Sequence, residues 1–300
     1  MTAAKPEFSR WQRWFVCLSG WLPHHLIAAA MYRASQWRWP LWKNFAIRWF
    51  VRRYQVDLQE ALVTSPEEFA CFGDFFTRAL APGRRPMPEQ LSVVVSPVDG
   101  RISQSGLVRD GLLLQAKGVE YPLQALLGGD DELANRFSGG QFMTIYLSPR
   151  DYHRVHMPLS GRLRGMTYVP GRMFSVNDAS TAMVPGLFTR NERVVAWFDT
   201  VIGPVAMVLV GAMCVSAIEM SWFGRITVDR RSGLCRWTYP GEGEGAVALS
   251  RGDEAGRFGM GSTVILILPP GRVELDPELI AGRAVRLGEQ LGTLQLAGPL

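Results

Sequence analysis

Imidazole is scarce in this 300-residue chain: it has four histidines, and two of them, His153 and His156, fall together in the run DYHRVHMP (151–158). A histidine can give and take a proton near neutral pH. Three residues apart on an extended segment the pair would face opposite ways, whereas a turn would let them converge, so spacing alone leaves a shared site open. Asp99 sits in SPVDG (96–100), just after the apolar run 93–95; taken alone it reads as a turn former. The third segment, GRFGMGST (256–263), runs directly into the apolar VILIL (264–268) and supplies the hydroxyls of Ser262 and Thr263. It is not a phosphate-binding loop, because Gly261 stands where a lysine is required. It is not a nucleophile elbow either, because Met260 and Val264 occupy the glycine positions flanking Ser262.

The elements that must hold these groups are mostly strands. From residue 91 onward, short apolar runs at 93–95, 112–114, 142–147 and 264–268 alternate with turn residues. Helical patterns concentrate before residue 80, with a further one at Pro122–Phe137. The uncharged stretch Thr200–Ile218 is broken at Gly203-Pro204, and it reads as two buried strands turning there rather than as a membrane span. The fold class expected is α+β: a β barrel or sandwich body over 81–300 and a helical region over 1–80 with amphipathic, membrane-docking helices.

Charge and tryptophan are concentrated at one end. Residues 1–54 carry nine Lys or Arg against Glu7 alone, so this end is +8 in a chain of net charge +5. Seven of the ten tryptophans lie in the first 49 residues, interleaved with those cations. Tryptophan favours the headgroup level of a bilayer and Lys/Arg is drawn to anionic lipid, which together predict a peripheral membrane anchor. The plain alternative makes Trp37, Trp42 and Trp49 the buried face of ordinary helices. No fold motif supports nucleic-acid binding. Cys17, Cys71, Cys214 and Cys235 are scattered without metal-ligand spacing, so neither a metal site nor a disulfide framework is expected. The basic and proline interruptions near the start argue against a signal peptide. The expected location is the cytoplasmic face of the inner membrane.

Taken together, GST (261–263), YHRVHMP (152–158) and SPVDG (96–100) resemble the three signature elements of phosphatidylserine decarboxylases, in the family's order. FGDFFTR (72–78), LQAKG (114–118), VPGRMFSVN (169–177), FTRNER (188–193) and RGDE (251–254) are similar too, so the likeness spans roughly 45 to 275. Val98, Arg251 and Met260 depart from residues common in the family, and none is a group that performs chemistry.

The resemblance implies that the chain cuts itself between Gly261 and Ser262. Residues 1–261 and the 39 residues of 262–300 then form two chains, and Ser262 becomes a covalent pyruvoyl group, with no metal. Removing CO2 from an amino acid leaves electrons that no ordinary side chain can delocalise, and a ketone joined to the substrate amine as a Schiff base accepts them. By the same resemblance His156 is the base that activates Ser262, and Asp99 holds its imidazole, as a maturation triad. Thr263 would support the developing oxyanion. With His156 so engaged, His153 is assigned to carboxylate positioning and protonation. The implied substrate is phosphatidylserine at an anionic membrane surface, and the implied assembly is a homodimer. Two other readings stand beside this one: a pyruvoyl-dependent decarboxylase of a soluble amino acid, and a non-enzymatic peripheral membrane scaffold.

Overall fold

The computed structural model describes residues 9, 14, 16, 23–116, 118–213, 217–228, 232–259 and 262–295. Two helices, His24–Ser35 and Pro40–Tyr54, precede a short one at Phe72–Phe76. Proline at the first position of the second helix supplies a ready-made helical φ, and Gln55 ends it in the left-handed region at φ 54°. Its inner face carries Lys43, Ile47 and Phe50. Ile47 and Phe50 pack on Phe69, Phe72, Phe75 and Phe76 in a small core of their own. Among the described residues no helix is long and apolar enough to cross a membrane.

The opposite face of that helix is open. Leu41, Phe45 and Trp49 recur at helical spacing and are more than half exposed, and Trp37 and Trp39 are exposed nearby. The plain reading of the tryptophans is therefore overturned: Trp37, Trp42 and Trp49 are not a buried face. Trp11 and Trp21 lie outside the described residues.

The body is mainly sheet. Its largest sheet runs in the order Cys235–Thr238, Gly161–Val169, Arg193–Thr200, Gly203–Gly211, Ser262–Leu268, Gln141–Leu147, Gly100–Leu107, Ala284–Val285, with Ala248–Leu249 beside Gly161–Val169. The first and last strands do not pair, so this sheet is open and the expected closed barrel is corrected. A smaller sheet joins Arg154–His156, Glu254–Phe258, Ile218–Met220 and Gly224–Arg225. The hairpin read near 203 is present, but it turns at Val201-Ile202, with Thr200 opposite Gly203. The helical pattern at 122–137 forms two short helices, Leu123–Leu126 and Asp131–Arg136. Gly128 and Gly129 between them take φ of 80° and 77°, which glycine adopts without strain.

Ser262–Leu268 is central in the large sheet, paired antiparallel on both sides, and every residue of it is buried. Burying each of its large aliphatic side chains stabilises the fold by about 1.5–3 kcal/mol. Residues 290–294 pair in turn with Val93–Val95. The segment after residue 261 is therefore woven into the body rather than appended to it.

Candidate active site

The two histidines flank one short strand. His156 ends Arg154–His156, opposite Glu254, and its backbone N–H donates to Pro97 O at 2.8 Å. Its Nδ1 is 2.7 Å from Gly252 O. A carbonyl only accepts, so Nδ1 carries the hydrogen and Nε2 is the bare nitrogen. The Tyr152 hydroxyl, 3.0 Å away, donates to that Nε2. Burial pulls the imidazole's pKa below its ordinary value, against the Gly252 carbonyl and the charge of Glu254.

His153 is fully buried, with its ring 4.1 Å from that of Phe76. Its Nδ1 donates to Asp151 O at 2.8 Å, and its Nε2 has no partner. Burial, aided by nearby Arg78, lowers its pKa to about 3, so the ring stays neutral with an open lone pair.

Asp99 follows a different course from the one expected. Both its oxygens are taken by Arg85, which donates Nε to Oδ1 at 2.9 Å and Nη2 to Oδ2 at 2.5 Å. The Leu287 amide adds a third donor at 2.8 Å. With both imidazole nitrogens of His156 also engaged, Asp99 does not hold that ring in this arrangement. A two-pronged guanidinium contact is the stronger competitor for a carboxylate. Arg85 also reaches Glu60 at 2.7 Å.

Ser262 opens its strand with the side chain fully buried and Oγ unpartnered. It stands opposite Leu147 on one side and Gly211 on the other. Thr263 Oγ1 is likewise buried and unpartnered, but neighbouring strand residues face opposite sides of a sheet. The two hydroxyls therefore do not share one space, and Thr263's backbone N–H is its nearer route to any developing charge. Gly261 and Met260 lie outside the described residues.

The stretch 259–261 links the small sheet, which ends at Phe258, to the large sheet, which resumes at Ser262. The Phe258 N–H donates to His153 O at 3.0 Å, tying this junction to the histidine segment. A cavity of about 580 Å³ opens beside it, lined among others by Arg78, Asp99, Tyr146, Ser148, Asp151 and Tyr152. Tyr146 is the register partner of Thr263, so the cavity comes within one residue of Ser262.

A family model described as phosphatidylserine decarboxylase matches residues 72–293, and a second, described as PSD, matches 14–55. The chain belongs to the phosphatidylserine decarboxylase family. Proteins named phosphatidylserine decarboxylase proenzyme are similar along nearly its whole length. The one from Hahella chejuensis is 47% identical over 95% of both chains. That from Pseudomonas aeruginosa is 50% identical over 93% of this chain and 96% of its own, and that from Bordetella avium 52% over 90% of each. The family likeness thus reaches past the 45–275 span read from the motifs, into both ends.

Sequence reasoning about this decarboxylase-family site missed Arg78, Arg85 and Tyr152 as participants. Arg78 and Tyr152 stood inside quoted runs. Nothing local marks a guanidinium as buried, or a phenol as bonded to a neighbouring imidazole. Among the described residues no group of three or more His, Cys, Asp or Glu is arranged to hold a metal ion.

Proposed function

We propose that the chain decarboxylates phosphatidylserine to phosphatidylethanolamine and CO2, after converting its own Ser262 to a pyruvoyl group. The observation that carries this reading is the Ser262 hydroxyl: fully buried, unpartnered, and placed where one sheet hands over to another. An unpaired hydroxyl in a dry strand is costly unless it has a task. The proenzyme name of the relatives fits that task.

In maturation, Ser262 Oγ attacks the Gly261 carbonyl carbon. A C–O bond forms, the Gly261–Ser262 C–N bond breaks, and the serine nitrogen becomes an amine. Loss of the Ser262 α-proton then expels the Gly261 carboxylate, and water displaces the nitrogen at position 262 as ammonia. His156 Nε2 accepts the hydroxyl proton once the Tyr152 O–H turns aside. Asp99 contributes its negative field to His156 and keeps the 287–289 segment seated.

The residues around position 262 fit the resulting group, since the strand is dry and its polar atom unclaimed. The pyruvoyl group supplies an electron-accepting carbonyl at that point. His153 Nε2 then holds the proton that returns to the substrate α-carbon, a role that suits an uncharged, water-excluded nitrogen. The new small chain stays in place because its first strand has partners on both sides.

The helical end supports a peripheral seat on the cytoplasmic face of the inner membrane. Exposed Leu41, Phe45 and Trp49 share their helix with Arg48, Arg52 and Arg53, an arrangement suited to anionic lipid. That seat favours a lipid substrate over a soluble amino acid. The homodimer implied by the family completes the reading.

The test is the intact mass of the purified protein. Wild type should give two chains parted between residues 261 and 262, the smaller with a blocked N-terminus, and Ser262→Ala one inactive chain. A single unmodified chain in active wild-type material defeats the reading.

A further inference from the structure

Arg78 and Arg193 are both buried, and neither forms an ion pair among the described residues. They are provided for very differently. Arg193 gives Nε to Leu126 O at 2.7 Å, Nη1 to Thr189 O at 2.7 Å and Asn191 O at 3.0 Å, and Nη2 to Ala125 O at 2.6 Å. Every one of its nitrogens has a carbonyl, at the ends of two short helices, so it is a structural cation. Arg78 gives Nη2 to Arg150 O at 2.9 Å and to Asp151 O at 3.3 Å, while Nη1 has no acceptor. The Phe75 ring lies 5.7 Å from the guanidinium carbon and provides no counter-charge. A buried cation left with an unpaired donor is expensive to keep, and an anion is what would relieve it.

Its position says which anion. The Asp151 carbonyl that accepts from Arg78 also accepts from His153 Nδ1, so the unpaired donor and the unpaired His153 Nε2 belong to groups braced on one oxygen. Arg78 lines the 580 Å³ cavity with Tyr146, Ser148 and Tyr152, next to the strand that starts at Ser262. The substrate proposed above carries two oxyanions, a carboxylate and a phosphodiester. The carboxylate loses its charge as CO2 leaves, so a strong ion pair to it would be lost on the way to the transition state and would slow the reaction. The phosphodiester keeps its charge throughout.

We infer that Arg78 is the headgroup anchor of this site, its Nη1 reserved for the phosphodiester oxygens of the lipid. This rests on the decarboxylase reading and extends it to a named contact. Bound this way, the headgroup lies beside the open nitrogen of His153. Binding the phosphodiester equally in substrate and product, Arg78 acts on affinity more than on turnover.

The experiment compares wild type, Arg78→Lys and Arg78→Gln, each first checked by intact mass for chain separation. Steady-state decarboxylation of phosphatidylserine in mixed micelles is then measured, with inhibition by glycerophosphoethanolamine, which has the phosphodiester but no carboxylate, and by ethanolamine, which has neither. In wild type glycerophosphoethanolamine should inhibit better than ethanolamine. Arg78→Gln should raise KM and the glycerophosphoethanolamine inhibition constant together, by about 10- to 100-fold, with Arg78→Lys between. Ethanolamine inhibition should not move. The inference falls if Arg78→Gln lowers only kcat, which would make Arg78 a brace for His153 alone. It falls equally if wild type treats the two inhibitors alike, a result that needs no variant. Wild type that separates its chains and decarboxylates keeps the parent reading intact whichever way Arg78 goes.

Discussion

His153 and His156 sit three residues apart in two unlike surroundings. One pocket is sealed: His153 lies under Phe76, anchored through Nδ1, with Nε2 facing no partner. The other is wired: His156 has both nitrogens bonded, to a carbonyl and to a phenol, on a strand fixed to the 96–100 turn. The same residue type has become an idle base in one place and an occupied one in the other. An open nitrogen suits a step repeated at every turnover, whereas an occupied nitrogen suits an event performed once, after a neighbour moves. Two histidines in one short run are thereby divided between two tasks.

Removing each ring in turn breaks or keeps that division most visibly. His156→Ala should leave the chain largely uncut, with separation slowed by about 10²–10⁴-fold, the usual worth of a general base. His153→Ala should separate into two chains and then decarboxylate slowly, by a similar factor. A gel and a CO2-release assay on the same preparations read both. If His153→Ala fails to separate, the sealed pocket serves maturation as well and the division is wrong.

The parts of this picture that were legible in sequence share a physical basis. The strands at 93–95, 142–147 and 264–268 were readable because apolar runs bounded by turn residues have few other fates, and all of them are buried. The paired histidines and Ser262 were readable because few residue types do such chemistry. Sheet closure was not, since it depends on which strands pair across more than a hundred residues, as Gly100–Leu107 does with Ala284–Val285. The partner of Asp99 was also hidden: Arg85 and Leu287 reach it from 14 residues before and 188 after. Tyr152, by contrast, lay in plain view four residues from His156, but only the turn of the chain there makes it a partner.

A second difference between the pockets is electrostatic and shows in stability against pH. His153 titrates near 6.5 when unfolded and at about 3 when folded. Between those values the unfolded chain holds a proton that the native ring refuses, so native stability falls as pH drops through this window, by up to about 1.4 kcal/mol per unit from this group. Above pH 6.5 it contributes no slope. Chemical denaturation of the Ser262→Ala chain from pH 7 to pH 4 should show this loss, and adding His153→Gln should flatten it. An equal slope in both chains would mean that the ring is reached by water.

The smallest effect expected belongs to the wired pocket. Tyr152→Phe removes the hydroxyl that occupies His156 Nε2 while leaving the ring that stacks on the imidazole, 5.7 Å between centroids. Gly252 O still fixes the hydrogen on Nδ1, so the tautomer is kept. The lone pair then has no competing donor. The neutral imidazole also loses a stabilising bond, so its pKa rises toward the ordinary value, within the influence of Asp99, Glu254 and Arg154. A hydrogen bond of this kind is worth about 1 kcal/mol, which is about fivefold in a rate. Chain separation should accordingly quicken by about that factor in freshly made Tyr152→Phe, followed by gel over time. Slower separation would show that the hydroxyl aims the imidazole rather than occupying it, and the contrast between an open and an occupied nitrogen would lose its kinetic meaning.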